Sequence, residues 1–184
     1  TNHRHLALLD ESHIDYYPGF LVPETSDTLF SLLSRKEGGA VSWKQDHIKV
    51  NDRTVLEPRY TALLGSKDGL QYHYSGKTMQ SKQWPEEVKK IRDQAEEMTG
   101  FAFNVVLMNW YETGMHHVSW HSDNEEDLVP GSPIVSLSLG GTRTFEIRHN
   151  SDARVGQQQT QIYKDMKEGK PITPEDRALL DYKV

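Results

Sequence analysis

The 184-residue chain contains no cysteine, so neither a disulfide framework nor a thiolate metal site is open to it. It has no apolar run of about 20 residues, the length a membrane-spanning helix needs, and no association with a membrane is expected. No charged-then-apolar leader precedes the first apolar segments. The chain starts at Thr1 rather than at a methionine, which points to a trimmed N-terminus. These absences fit an intracellular protein of the nucleus or cytoplasm. Histidine is missing from the whole C-terminal stretch: all nine lie at or before His149. Apolar residues make up only 35%, yet clear apolar periodicity argues for one folded domain over residues 1–184 with a solvated surface.

The formal charge of −6 argues against a generic nucleic-acid binder, but the charge is unevenly spread. From Lys36 to Gln83 there are eight Lys/Arg against five Asp/Glu, and from Trp84 to Pro130 three against ten. A locally basic segment can follow phosphates while the rest stays acidic; chance clustering explains the same numbers.

Tyr16 to Pro23 reads as a short apolar strand between turn formers. A helix should follow, capped by Thr25, Ser26 or Asp27, burying Leu29, Phe30, Leu32 and Leu33 and ending at Gly38-Gly39. Val41 to Val50, Thr54 to Leu64 and Tyr72 to Ser75 read as strands, with a turn at Asn51-Asp52. A second helix begins near Pro85, with Glu86 and Glu87 in its first turn, and stops at Gly100. Val88, Ile91, Ala95 and Met98 form its apolar stripe. Four more strands are expected: Phe103 to Trp110, Val118 to Ser122, Ile134 to Leu139 and Arg143 to Arg148. In the third, Val135, Leu137 and Leu139 alternate with serines, so one face should be buried. A Gly140-Gly141 turn should lead into the fourth. Strands after an amphipathic helix predict an α+β barrel or jelly roll with outer helices. Residues 151–184 read as a polar insertion or linker with a short helix, Thr173 capping and Pro174 in the first turn.

Chemistry concentrates at Trp120-His121-Ser122-Asp123. In an extended strand residues two apart share a face, so His121 and Asp123 can offer an imidazole and a carboxylate to one metal. Those are two members of the 2-His-1-carboxylate triad that leaves open positions on iron(II). Alone, His-x-Asp is a weak signal that a polar strand end would also produce.

The context is more specific. Asn109-x-Tyr111-x-x-Gly114, His121-x-Asp123, Pro133-Ile134 and Ser136-Leu137-Ser138-Leu139-Gly140 together resemble the AlkB family. Its members are iron(II)- and 2-oxoglutarate-dependent dioxygenases that demethylate nucleic acids. Pro58-Arg59-x-Thr61, Tyr72-x-Tyr74-Ser75-Gly76, Trp84-Pro85, Thr99-Gly100-x-x-Phe103-Asn104 and Thr142-Arg143-x-Phe145 extend the resemblance from Tyr17 to His149.

The resemblance implies a double-stranded β-helix (jelly roll) core with a nucleotide-recognition lid over residues 40–83. It implies His121 and Asp123 as metal ligands and Asn109 and Tyr111 as contacts to 2-oxoglutarate. It implies that Tyr74 stacks on an extruded base, that Tyr72 donates a hydrogen bond nearby, and that Glu125 accepts one from the exocyclic amine. Arg59 would lie near phosphate or base, or in a structural ion pair. The implied substrate is alkylated single-stranded DNA or RNA, and the implied state a monomer. His116 and His117 are expected at the surface, and His73 opposite the two tyrosines. Trp43, Trp84, Trp110 and Trp120 are expected in core or hinge packing.

One departure stands out. The distal histidine and the two arginines with which the family continues are not visible, and Arg154 and Arg177 do not match that motif. The expectation is therefore a jelly roll incomplete at its C-terminus, active only in a longer parent. Two rivals remain: a non-catalytic nucleic-acid-binding remnant, and an oxygenase acting on a protein or small molecule.

Overall fold

The central strand reads Tyr-Thr-Ala-Leu-Leu-Gly, and five of its six residues are buried, as expected of a strand covered on both faces. The computed structural model in which it lies describes residues 3–8, 12–34, 38–50, 53–74, 77–123, 125–147, 158 and 161–181. In chain order these form β1 (Arg4–Ala7), β2 (His13–Tyr16), α1 (Pro23–Leu33), β3 (His47–Val50), β4 (Arg53–Leu56) and the central β5 (Tyr60–Gly65). Then come β6 (Gln71–Tyr74), β7 (Lys77–Gln80), β8 (Lys82–Gln83), α2 (Glu86–Thr99) and β9 (Val105–Trp110). Residues 161–167 are helical, and a last helix spans Pro174–Asp181. The chain divides into two units, Leu21–Gly140, and Thr1–Phe20 with Gly141–Val184.

In the larger unit β5 pairs antiparallel with β9, from Tyr60 opposite Trp110 to Gly65 opposite Val105, and parallel with the short β8. Strand alternation then sorts the side chains. Ala62 and Leu64 face Leu29 and Leu33 of α1, Val41 and Trp84, with Val88, Ile91, Val106 and Met108 packed around them. Leu63 faces the other way, onto Tyr72 and Tyr74, with Val105 and Leu107 beside them. Asn109 shares the parity of Val105 and Leu107, which brings it to the tyrosine side. β3–β4 and β6–β7 are separate antiparallel hairpins.

The helices follow their local signals with small shifts. Pro23 occupies the first turn of α1, and Val22 precedes it with no side-chain cap, so none of the three expected capping residues acts as one. The helix ends at Ser34, ahead of Gly38-Gly39, where the Trp43 indole N–H donates to the Leu33 carbonyl at 2.7 Å. Leu29 and Leu33 are buried while Phe30 is exposed. α2 ends on Gly100 at φ +73°, the left-handed conformation glycine accepts without penalty. Ala95 is buried on its stripe, but Met98, in the last turn, is 47% exposed. Before the last helix, the Thr173 hydroxyl accepts from the Asp176 N–H at 3.1 Å and Asp176 accepts from the Thr173 N–H at 2.8 Å, a reciprocal cap.

Several expected strands are not formed. Residues 17–22 make a turn, and the Thr54–Leu64 run is broken at Glu57-Pro58-Arg59, because proline cannot donate to a ladder. Residues 118–122, 134–139 and 143–147 pair with no strand among the described residues, and Val135 and Leu137 are exposed. A strand is a paired object: without a neighbour its alternation has nothing to bury against. Only Leu139 packs on the core. Arg148, Asn51-Asp52 and Ser75-Gly76 lie outside the described residues.

The smaller unit contains the β1–β2 hairpin, with His5 opposite Asp15. His3, His5 and His13 surround that carboxylate at 2.9, 2.8 and 3.5 Å.

Candidate functional site

Eight residues were singled out from the sequence, and all eight fall in the larger unit. Arg59, Asn109, Tyr72 and Tyr74 are joined by direct contacts. The buried Arg59 donates from Nε to Asn109 Oδ1 at 2.9 Å and from Nη2 to the Tyr74 hydroxyl at 3.1 Å. Its guanidinium carbon lies 5.9 Å from the centre of the Tyr74 ring. Tyr72 and Tyr74, alternate residues of β6, stack at 6.2 Å with planes 14° apart. Between them in sequence, His73 faces outward, as alternation requires.

His73 also fixes the loop that carries Glu125. Its backbone N–H and its Nδ1 both contact Asp127 Oδ2, at 2.7 and 2.8 Å, and these bonds hold the Asp127 carboxyl below the usual carboxylate range. The Glu125 carboxylate lies close enough to the Tyr72 phenol to favour its protonated form. Burial, with Glu125 adding to it, pushes the Tyr72 hydroxyl up to about 12, so Tyr72 is a neutral donor at physiological pH. Burial raises Tyr74 too, Arg59 opposing it, with Asp123 among the charges near both rings. The second Glu125 oxygen, Oε2, is buried without a hydrogen-bond partner. A buried unpaired acceptor costs about 1–3 kcal/mol, so it is a vacancy for a donor.

His121 and Asp123 lie in a segment without strand pairing, with His121 Nε2 3.5 Å from Asp123 Oδ1 and both side chains about two-fifths exposed. His121 Nδ1 is 2.8 Å from the Ser119 carbonyl. A carbonyl oxygen only accepts, so Nδ1–H donates there, and in the neutral ring Nε2 keeps a lone pair. An imidazole nitrogen and a carboxylate are donor types that would hold an iron(II) ion. Among the described residues no group of three His, Asp or Glu side chains is arranged to hold a metal ion, so His121 and Asp123 offer two donors and no described residue offers the third. Tyr111 is half-buried just past the end of β9. His117 is exposed, and His116 lies half-buried beside Tyr60, ring centres 5.8 Å apart. Of the tryptophans, Trp84 is buried, Trp43 and Trp110 are half-buried, and Trp120 is exposed rather than packed.

Sequence reasoning missed the charges behind Arg59. Glu57, 1% exposed, accepts from Arg59 Nη2 at 2.7 Å and from Lys77 Nζ at 2.8 Å, and Lys77 also reaches Asp46 at 3.0 Å. Burial pulls the Lys77 ammonium down, but the bonds to Glu57 and Asp46 outweigh it and its pKa is raised. No local pattern marks these partners. They meet only because the β3 approach, the β4–β5 break and β7 converge.

Residues 13–169 match the 2OG-Fe(II) oxygenase superfamily, whose fold is a jelly roll. The mouse DNA oxidative demethylase ALKBH2 is 45% identical over 92 residues, which are 50% of this chain and 38% of the relative. The human alpha-ketoglutarate-dependent dioxygenase alkB homolog 3 is 38% identical over 138 residues, 74% of this chain and 46% of the relative. The DNA oxidative demethylase ALKBH2 of Arabidopsis thaliana is 30% identical over 152 residues, 81% and 47% of the two chains. The chain thus spans less than half the length of these relatives. The imidazole and carboxylate of His121 and Asp123, near an aromatic pair, are in keeping with that match: the chain belongs to the 2OG-Fe(II) oxygenase superfamily, in its AlkB family.

Proposed function

We propose that the protein demethylates N-alkylated bases of single-stranded DNA or RNA oxidatively, using iron(II), 2-oxoglutarate and oxygen and releasing formaldehyde. The observation that carries this reading is the orphaned Glu125 Oε2 beside the stacked Tyr72–Tyr74 pair, with Asp123 close enough to act on both phenols. A base presents both a π-face and an exocyclic N–H donor, the two features this corner can receive. A protein or small-molecule substrate has no general need of both.

Each residue then has a task set by its chemistry. His121 Nε2 and Asp123 hold the metal, and the Ser119 carbonyl fixes the imidazole tautomer. Asn109 spends its carbonyl oxygen on Arg59, so its amide N–H groups remain to donate to 2-oxoglutarate, with Tyr111 beyond the strand end as the second contact. When bound, iron(II) and 2-oxoglutarate supply oxygen activation next to the N-methyl group. Tyr74 faces the base, Tyr72 keeps its proton to hold Glu125, and Glu125 Oε2 takes the exocyclic amine. Both rings are 7% exposed and covered in part by Leu128 and Met79, so base entry parts that cover. The lid function belongs to the hairpins within residues 40–83, and the working form is a monomer. A third ligand from outside the described residues closes the metal site.

The test is formaldehyde release from a single-stranded oligonucleotide carrying 1-methyladenine or 3-methylcytosine. Release that needs both iron(II) and 2-oxoglutarate is expected from a polypeptide that supplies the third ligand. Residues 1–184 alone should release little, because two donors hold iron weakly. Oligonucleotide binding indifferent to both cofactors, with no formaldehyde from the longer polypeptide, would support a binding remnant instead.

A further inference from the structure

The charged group that the proposed chemistry leaves unused is Glu57, a carboxylate 1% exposed. It is held from several directions. Its backbone N–H donates to the Asp46 carbonyl at 2.7 Å, and its carbonyl accepts from Gln45 Nε2 at 2.8 Å and from the Arg59 N–H at 2.8 Å. Oε2 is taken by Lys77, leaving Oε1 for Arg59 Nη2. Asp46 and Glu57 against Arg59 and Lys77 make two anions and two cations, so the cluster is balanced.

Arg59 hydrogen-bonds to both halves of the site, the β9 side through Asn109 and the β6 side through Tyr74. An arginine side chain has several rotatable bonds, and fixing them against two partners on different strands requires a third anchor. Nη2 has two protons: one goes to Tyr74 and the other to Glu57. The planar fork therefore cannot turn toward either strand without breaking the bond to Glu57.

We propose that Glu57 is a positioning residue. By locking the Arg59 guanidinium it sets Asn109 and Tyr74 in register, so the 2-oxoglutarate side and the base side are coupled through one group. The naming of the two sides rests on the function proposed above. The anchoring itself does not.

The test is NMR of the chain labelled with nitrogen-15, observing the Arg59 Nε–H and the Asn109 side-chain amide without any ligand. In Glu57→Gln the Arg59 Nε–H should exchange with water at least about tenfold faster and the Asn109 amide signals should move. Lys77→Met removes the other partner of Glu57 without touching Arg59, and should leave both signals in place. If Glu57→Gln does not fold, the charge-balanced Glu57→Gln/Lys77→Gln variant reads the same signals with one anion and one cation removed together. Binding of a single-stranded oligonucleotide carrying 1-methyladenine is then measured by fluorescence anisotropy. Faster exchange with a weaker complex supports both the anchor and the base-binding reading. Faster exchange in a chain whose wild type ignores the oligonucleotide supports the anchor and removes that reading. Unchanged exchange and amide signals in the folded variant overturn the anchor, and so does equal loosening in Lys77→Met, which would mean that cluster stability alone is at work.

Discussion

The two sides of the site are built differently. On the proposed base side Tyr72, Tyr74 and Arg59 are buried; the tyrosines stack on the paired strand β6, and Arg59, just ahead of β5, hydrogen-bonds Tyr74 and Asn109 of β9. On the proposed metal side His121 and Asp123 are about two-fifths exposed, in a segment without ladder pairing, with a bond from His121 to the Ser119 carbonyl. One side is held by packing and paired strands; the other is not. The first should respond to packing and hydrogen-bond changes, and the second to metal.

The largest effect should come from the scaffold shared by both sides. Leu64, 1% exposed near the end of β5, touches the α1–Trp84 core. Leu64→Ala should destabilise the chain by about 3 kcal/mol in urea unfolding, the loss typical of a core leucine that leaves a cavity. A value under about 1 kcal/mol would mean that the core collapses into the gap or is poorly packed to begin with.

Tyr74→Ala sharpens the comparison at the base side. Removing a stacking ring costs about 1–3 kcal/mol of binding, or roughly a 5- to 150-fold weaker complex with methylated single-stranded oligonucleotide. An unchanged dissociation constant would remove Tyr74 from the interface.

The pH dependence is a smaller probe with a definite sign. The Tyr72 phenol, raised chiefly by burial and then by Glu125, stays protonated in the folded chain to about 12, while the unfolded phenol ionises near the ordinary tyrosine value of 10.0. The stability this contributes is fully present below pH 10 and is lost as pH rises through the folded value. Wild type minus Tyr72→Phe should show that loss as a stability difference that closes between those two values. A difference flat with pH would mean that neither burial nor Glu125 raises the phenol.

How much of this was legible in the sequence follows the same division. β9, the α2 boundaries and the facing of His73 away from the tyrosines followed from periodicity and capping, because each rests on neighbours a few residues away. The strands expected at 118–122, 134–139 and 143–148 did not follow, since alternation describes a face and cannot supply the partner that makes it a strand. The core position given to Met98 did not hold, since the last turn of α2 leaves it 47% exposed. A structural ion pair was one of the readings open to Arg59, and one forms, but its partners could not be named. Lys77 lies 20 residues from Glu57 and Asn109 lies 50 from Arg59, and only the packed fold brings them together.

The most direct measurement of the central claim is a titration with manganese(II), a paramagnetic stand-in for iron, followed by NMR of the chain. Line broadening should start at His121 and Asp123, spread next to Glu125 and Tyr72, and vanish in Asp123→Ala. Broadening centred instead on His3, His5 and His13 around Asp15, or spread evenly over the acidic surface, would contradict the assignment of His121 and Asp123 as one metal's ligands.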